Sequence, residues 1–154
     1  MNEHSAQIVG MGELKIGGRG DVLKATLGSC IGIAFLWKGG GRCGLAHCLL
    51  SEAPEPGLRI GARYVNQAIP SLLKLMGIRK MDYPDIEVIV AGGARMFSIR
   101  QSSGDVGKAN AEAAQKYLLQ YGLTVTRSEI GGRRGRQIVI DCGQPSVRIK
   151  EIMG

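Results

Sequence analysis

The chain has 154 residues, 44% apolar and only 5% aromatic, with a net charge of +7. That length can bury a core without disulfide or metal staples, and no run nears the roughly 18 uninterrupted apolar residues of a membrane-spanning helix. Residues 1–10 carry Glu3 and His4 and lack the basic-then-apolar order of a signal peptide, so a cytoplasmic location is expected.

A basic balance favours acidic partners (nucleic acid, anionic lipid or a Glu-rich protein face) without choosing among them. The four cysteines at 30, 43, 48 and 142, in a chain with no export signal, read as thiols. The 24 glycines exceed the average share of about 7%. They fall as punctuation between apolar runs, which implies many tight turns.

Residues 8–16 alternate loosely and read as a strand, with a turn at 17–20. Residues 21–27 read as a second strand ending at Gly28. The run Cys30-Ile31-Gly32-Ile33-Ala34-Phe35-Leu36-Trp37 suits a buried strand. Gly39, Gly40 and Gly41 make a hairpin-like turn, and residues 44–50 return as its antiparallel partner.

Residues 51–57, with two prolines and two glutamates, read as an exposed loop. Residues 60–76 have helical spacing: Val65, Ile69, Leu72, Leu73 and Met76 share one face, Gly77 is a fitting stop, and Pro70 is expected to kink or divide the helix. Residues 86–91 form a buried strand closed by Gly92 and Gly93. Residues 108–121 form an amphipathic helix with Ala111, Ala114, Leu118 and Tyr121 on its apolar face. Residues 123–130, 137–142 and 147–152 are three further strands. This order predicts an α/β protein of the α+β type, a mixed sheet with helices packed on it, in a single domain over residues 1–154.

The chemistry-bearing residues lie on the 30–50 hairpin. Cys30 follows a Gly28-Ser29 turn, where a thiol is accessible and exposed amides can face a developing oxyanion. The returning strand carries Gly44-Leu45-Ala46-His47, and His47 is one of two histidines in the chain. With Trp37 opposite Arg42, facing positions sum to about 79, which sets Cys30 opposite residue 49 and His47 one pair-step away.

A thiol needs such a partner, because the thiolate is the nucleophile and a neighbouring imidazole can take its proton and return it to a leaving amine. The bland alternative is that Cys30 is a small core residue and His47 a structural one. A zinc site at Cys43, His47 and Cys48 is disfavoured. Positions 43 and 47 face one side of a strand and 48 the other, and no C-x-x-C pair is present.

These residues resemble the CheD family of chemoreceptor glutamine deamidases. The resemblance runs through Leu27-Gly28-Ser29-Cys30, then Gly44-Leu45-Ala46-His47, Ala62-Arg63-Tyr64 and Ala68-Ile69-Pro70. It continues with Ala91-Gly92-Gly93-Ala94-Arg95-Met96-Phe97, Val106-Gly107-Lys108-Ala109-Asn110 and Gly131-Gly132-Arg133-Arg134-Gly135-Arg136.

The resemblance implies a layered α/β/β sandwich similar to deamidating toxins and cysteine hydrolases. It implies that Cys30 attacks a receptor glutamine amide, that a thioester forms and that water releases glutamate, with His47 as base and then acid. No metal and no organic cofactor are expected. Implied partners are the cytoplasmic helical bundle of chemoreceptors and a CheC-type phosphatase, with no nucleic acid and no membrane insertion, and the protein acting as a monomer or heterodimer.

The family's third catalytic position, a threonine six residues before the cysteine, is Lys24 here. Thr26 is then the nearest hydroxyl, on the face of Cys30 by strand parity, and becomes the candidate for orienting the imidazole. Lys24 has no acceptor for a histidine N–H, which keeps a weakly catalytic or non-catalytic regulator as the alternative.

Gly28, Ser29, Gly92, Gly93 and Phe97 are candidate substrate contacts. Against that, the Gly92-Gly93 pair serves equally as a strand-ending turn, and Met96 and Phe97 are residue types found more often in cores. Asn110 reads as a helix-start residue. The basic residues Arg127, Arg133, Arg134, Arg136, Arg148 and Lys150 read as a solvated face, a positive rim suited to steering a Glu-rich partner.

Overall fold

The computed structural model of the chain describes residues 5–55, 59–96 and 105–152. Among the described residues, nine strands and two α-helices run in the order β1 (Gln7–Ile8), β2 (Leu14–Gly17), β3 (Val22–Leu27), β4 (Ile31–Trp37), β5 (Arg42–Cys48), α1 (Val65–Met76), β6 (Ile86–Gly92), α2 (Val106–Gln120), β7 (Arg127–Ile130), β8 (Gly135–Asp141) and β9 (Ser146–Ile152). The stretch expected to be one strand over 8–16 is two short strands, β1 and β2. The segment between them turns so that each joins a different sheet.

The strands form a four-stranded sheet, β1-β3-β8-β9, and a five-stranded sheet, β2-β5-β4-β6-β7. Both are mixed, with parallel pairs at β1–β3 and β6–β7. Alternation along β4 shows how the layers form, because successive side chains point to opposite faces. Ile31, Ile33 and Phe35 join the helices' buried residues Val65, Ile69, Leu72, Ala114 and Leu118 in one core. Ala34 and Leu36 join Leu23, Ala25, Leu27, Ile138 and Ile140 in a second core between the sheets. β4 therefore has no polar face, which is why its sequence is continuously apolar. The result is a helix layer, a five-stranded sheet and a four-stranded sheet, the α/β/β sandwich that the resemblance implies.

The expected hairpin register holds: Trp37 pairs with Arg42, Gly32 with His47 and Ile31 with Cys48. α1 begins at Val65 rather than 60 and runs unbroken through Pro70. Gly77 ends it at φ 71°, and its amide donates to the carbonyls of Leu73 and Lys74, a glycine stop that a side chain would strain. A 3₁₀ turn, Lys80–Asp85, precedes β6.

The reading of four thiols is corrected. Cys43 on β5 and Cys142, just after β8, form a disulfide, with Cα atoms 5.6 Å apart and a separation of 99 positions in sequence. Both face the core between the sheets, so the bond ties one sheet to the other. Gly17 makes room for it, since a Cβ there would lie 2.8 Å from the Cys142 sulfur. Cys30 and Cys48 remain thiols.

Candidate active site

His47 is held through its backbone and its ring by the segment between β1 and β2. Its amide donates to the Glu13 carbonyl at 2.9 Å, and its carbonyl accepts from the Gly12 amide at 2.7 Å. Its Nδ1 lies 2.9 Å from the Val9 carbonyl oxygen. A carbonyl only accepts, so Nδ1 carries the proton, and in the neutral ring Nε2 is then the basic nitrogen.

The residue is 4% exposed, and among the described residues Nε2 is buried with no hydrogen-bond partner. An orphaned buried acceptor is uncommon in folded proteins and concentrates where chemistry needs it. Gly32 stands opposite His47 on β4, and the Leu27 side chain takes the space that a Cβ at 32 would fill.

Cys30 is the residue before β4 and half-buried. One step inside it, Ile31 pairs with Cys48, which sets Cys30 diagonal to His47 across the ladder, within reach for facing side chains. Burial pushes the Cys30 thiol up, and its own backbone amide, which faces the sulfur, partly offsets that. Burial also drives the Cys48 thiol far up, with the nearby Cys30 adding to the effect. Cys48 packs in the helix-side core, on the opposite face of β5 from His47 and Cys43, so the three residues weighed for zinc do not converge.

The turn before Cys30 is braced by backbone. The Gly93 amide donates to the Cys30 carbonyl at 2.8 Å, and the Ala94 amide to the Gly28 carbonyl at 2.9 Å. Gly92 has φ 104°, and a Cβ there would run into the Cys30 carbonyl oxygen. Glycine at 92 is thus what allows β6 to end against the turn before Cys30. Gly28 lies beneath the side chain of Met96, which is 44% exposed. Met96 is therefore a surface residue rather than the core residue its type suggests. Phe97 lies outside the described residues.

Thr26 does not meet the imidazole. Leu23, Ala25 and Leu27 of β3 face the inter-sheet core, so alternation turns Lys24 and Thr26 to the outer face, where Thr26 is exposed. The parity count fails because the chain passes from one sheet to the other at Gly28 and Ser29.

Three supporting groups escaped the sequence reading. Val9 gives no side-chain signal, since it acts through its carbonyl. Arg136, taken for a surface charge, is 8% exposed and donates to the carbonyls of Gly92 at 3.3 Å and Gly131 at 2.9 Å. Asn110 is not the helix start. Asp105 caps α2 by accepting from the Lys108 amide, while Asn110 is fully buried. The apolar strand residues around Arg136 and the early position of Asn110 in α2 were the signals available.

The family model described as CheD chemotactic sensory transduction matches residues 50–151. The chain belongs to the CheD family. The match to the CheD model begins after Cys30 and His47, but matches to individual relatives extend over nearly the whole chain. A protein of Ruegeria sp. (strain TM1040), named probable chemoreceptor glutamine deamidase CheD 2, is 37% identical over 94% of this chain and 90% of its own. One of Bdellovibrio bacteriovorus, named probable chemoreceptor glutamine deamidase CheD, is 38% identical over 90% of this chain and 88% of its own. A Pyrococcus abyssi protein of the same name is 34% identical, covering 95% and 91%. No helix among the described residues is long and apolar enough to cross a membrane.

Proposed function

We propose that this chain is a protein-glutamine deamidase acting on chemoreceptors, with Cys30 as nucleophile and His47 as the proton carrier. The observation that carries the proposal is the His47 ring. Its Nδ1 is engaged by the Val9 carbonyl, and its basic Nε2 is unpartnered among the described residues, one diagonal step from the half-buried Cys30 thiol. Membership of a family whose relatives bear that activity in their names supports it.

In the reaction, His47 Nε2 accepts the Cys30 proton as Sγ bonds to the glutamine side-chain carbonyl carbon. The carbonyl π pair moves to oxygen, and the Cys30 amide meets the resulting oxyanion. Collapse breaks the C–N bond. The nitrogen takes the proton from the imidazolium and leaves as ammonia, with a thioester at Cys30. His47 then deprotonates a water that attacks the thioester, and the thiol recovers its proton as glutamate is released. Because burial raises the Cys30 thiol, the nucleophile rests as the thiol, and its proton moves during attack.

The substrate would be the cytoplasmic helical bundle of a chemoreceptor, and a CheC-type phosphatase a second partner, with the protein working in the cytoplasm as a monomer or heterodimer. The regulator without turnover loses the feature that favoured it. Lys24 sits on the outer face of β3, and Val9 does the orienting that the missing threonine would supply. Mass spectrometry of a chemoreceptor cytoplasmic fragment incubated with the protein tests the reading. Glutamine-to-glutamate conversion with ammonia release is expected from the wild type and not from Cys30→Ala. Receptor binding without conversion by the wild type would return the regulator.

A further inference from the structure

Asn110 lies one turn into α2, fully buried, with its amide joined to two other stretches of chain, at Ser29 and at Leu49 and Ser51. Nδ2 donates to the Ser29 carbonyl at 3.1 Å and to the Leu49 carbonyl at 2.8 Å. Oδ1 accepts from the Ser51 hydroxyl at 3.0 Å. Ser29 precedes the nucleophile, and Leu49 follows His47 by two residues. The β4–β5 ladder ends at Ile31 and Cys48, so both carbonyls belong to the point where the strands stop pairing.

Two carbonyl oxygens at the mouth of a hairpin repel each other and need a donor apiece. A single carboxamide nitrogen has two hydrogens and can serve both at once. No aliphatic side chain can, and an ionised carboxylate would add a third acceptor to the two already there.

We propose, resting on the deamidase reading, that Asn110 is a positioning residue that sets the separation between Cys30 and His47. It bridges the backbone beside each of them and anchors both to α2. α2 in turn is seated against the same turn by Gly107, whose missing side chain leaves room for the Gly93 carbonyl. The nucleophile turn, the end of the His47 strand and the helix thus meet at one amide, while Asn110 itself touches no reacting atom.

The test is Asn110→Ala in the full chain, with two readouts. Steady-state ammonia release from a chemoreceptor cytoplasmic fragment is expected to show kcat lowered about 100-fold, the cost of roughly 1 Å of misplacement, with KM within about twofold because the substrate surface is untouched. Crystal structures of the wild type and the variant are expected to show the Cys30 Sγ to His47 Nε2 separation changed by about 1 Å.

Asn110→Asp keeps the shape but loses both donors at neutral pH and is expected to behave as Asn110→Ala does. A folded variant with wild-type kcat and an unchanged separation overturns the proposal. So does a loss confined to KM, or the failure of both variants to fold, which would assign Asn110 to stability alone. If the wild type itself releases no ammonia, the deamidase reading fails, and the separation in the two crystal structures still decides whether Asn110 sets it.

Discussion

Nδ1 of His47 lies 2.9 Å from the carbonyl oxygen of Val9, a residue 38 positions earlier in the chain. The bond selects the ring tautomer with a basic Nε2, and it comes from a backbone atom that no side-chain substitution removes. A chain beginning at Ala6 keeps Val9 and is expected to retain wild-type kcat. A chain beginning at Met11 loses it and should show kcat lowered within the ~10²–10⁴-fold range of general acid–base catalysis. Loss of the buried Val9 side chain also costs about 1.5–3 kcal/mol of stability, so the comparison is made at a temperature where circular dichroism shows both chains folded. Equal kcat from the two chains would remove Val9 from the mechanism.

Burial raises the Cys30 thiol despite its own amide. The thiolate fraction at neutral pH is therefore smaller than for a free cysteine, and it grows as pH rises. The rate of Cys30 alkylation by iodoacetamide should climb with pH to a midpoint above the ordinary thiol value of about 8.5. A midpoint below that value would mean a resting thiolate–imidazolium pair and a different first step.

The cysteines should separate by environment. Without reductant, native protein is expected to take label at Cys30 alone. Cys48 is fully buried with its thiol driven far up, and Cys43 and Cys142 are bonded to each other. Unfolding adds Cys48, and reduction adds the remaining pair. Peptide mapping of label on native Cys48 would contradict the packing of β5.

The disulfide crosses between the sheets without touching the hydrogen bonds of the site. Cys142→Ala should lower stability to urea by about 2–4 kcal/mol under oxidising conditions while leaving kcat as it was. A fall in kcat measured well below the unfolding midpoint would show that the sheet-to-sheet tie also sets the site.

Arg136 supports the carbonyls of Gly92 and Gly131 from inside the sandwich, next to the segment whose Gly93 amide holds Cys30. Arg136→Met keeps the apolar stem and removes the donors. It should cost about 1.5–3 kcal/mol, the usual worth of hydrogen bonds to a charged group. Arg136→Lys is not expected to restore it, because an ammonium lacks the planar fork that spans two carbonyls. Urea titration of the two variants beside the wild type checks both statements.

Much of the site's local frame was legible from residue order. The continuous apolar run of β4, the glycines at 39–41 and the returning strand specify a hairpin, and its register follows from counting outward from the turn. The diagonal placement of His47 near Cys30 is a consequence of that short-range geometry. A mixed sheet with helices packed on it was likewise legible from alternation and helical spacing, while the α/β/β layering came from the family resemblance, because alternation marks a buried face without saying which sheet covers it.

The partners of Cys30 and His47 were not legible. Val9 reaches His47 through a carbonyl, which every residue possesses. Asn110 reaches Ser29 from 81 positions away, and Cys43 finds Cys142 across 99. Thr26, four residues before Cys30, points away because the chain changes sheets between them. By itself the sequence determined most of the strands, which faces are apolar and where Cys30 and His47 lie on their hairpin, all consequences of local backbone geometry and side-chain alternation. Only the tertiary structure decided which tautomer His47 holds, which thiols are free and which amide joins the turn before Cys30 to the end of the His47 strand. Those contacts exist only once two sheets and a helix have packed, and packing brings together residues that no local periodicity relates.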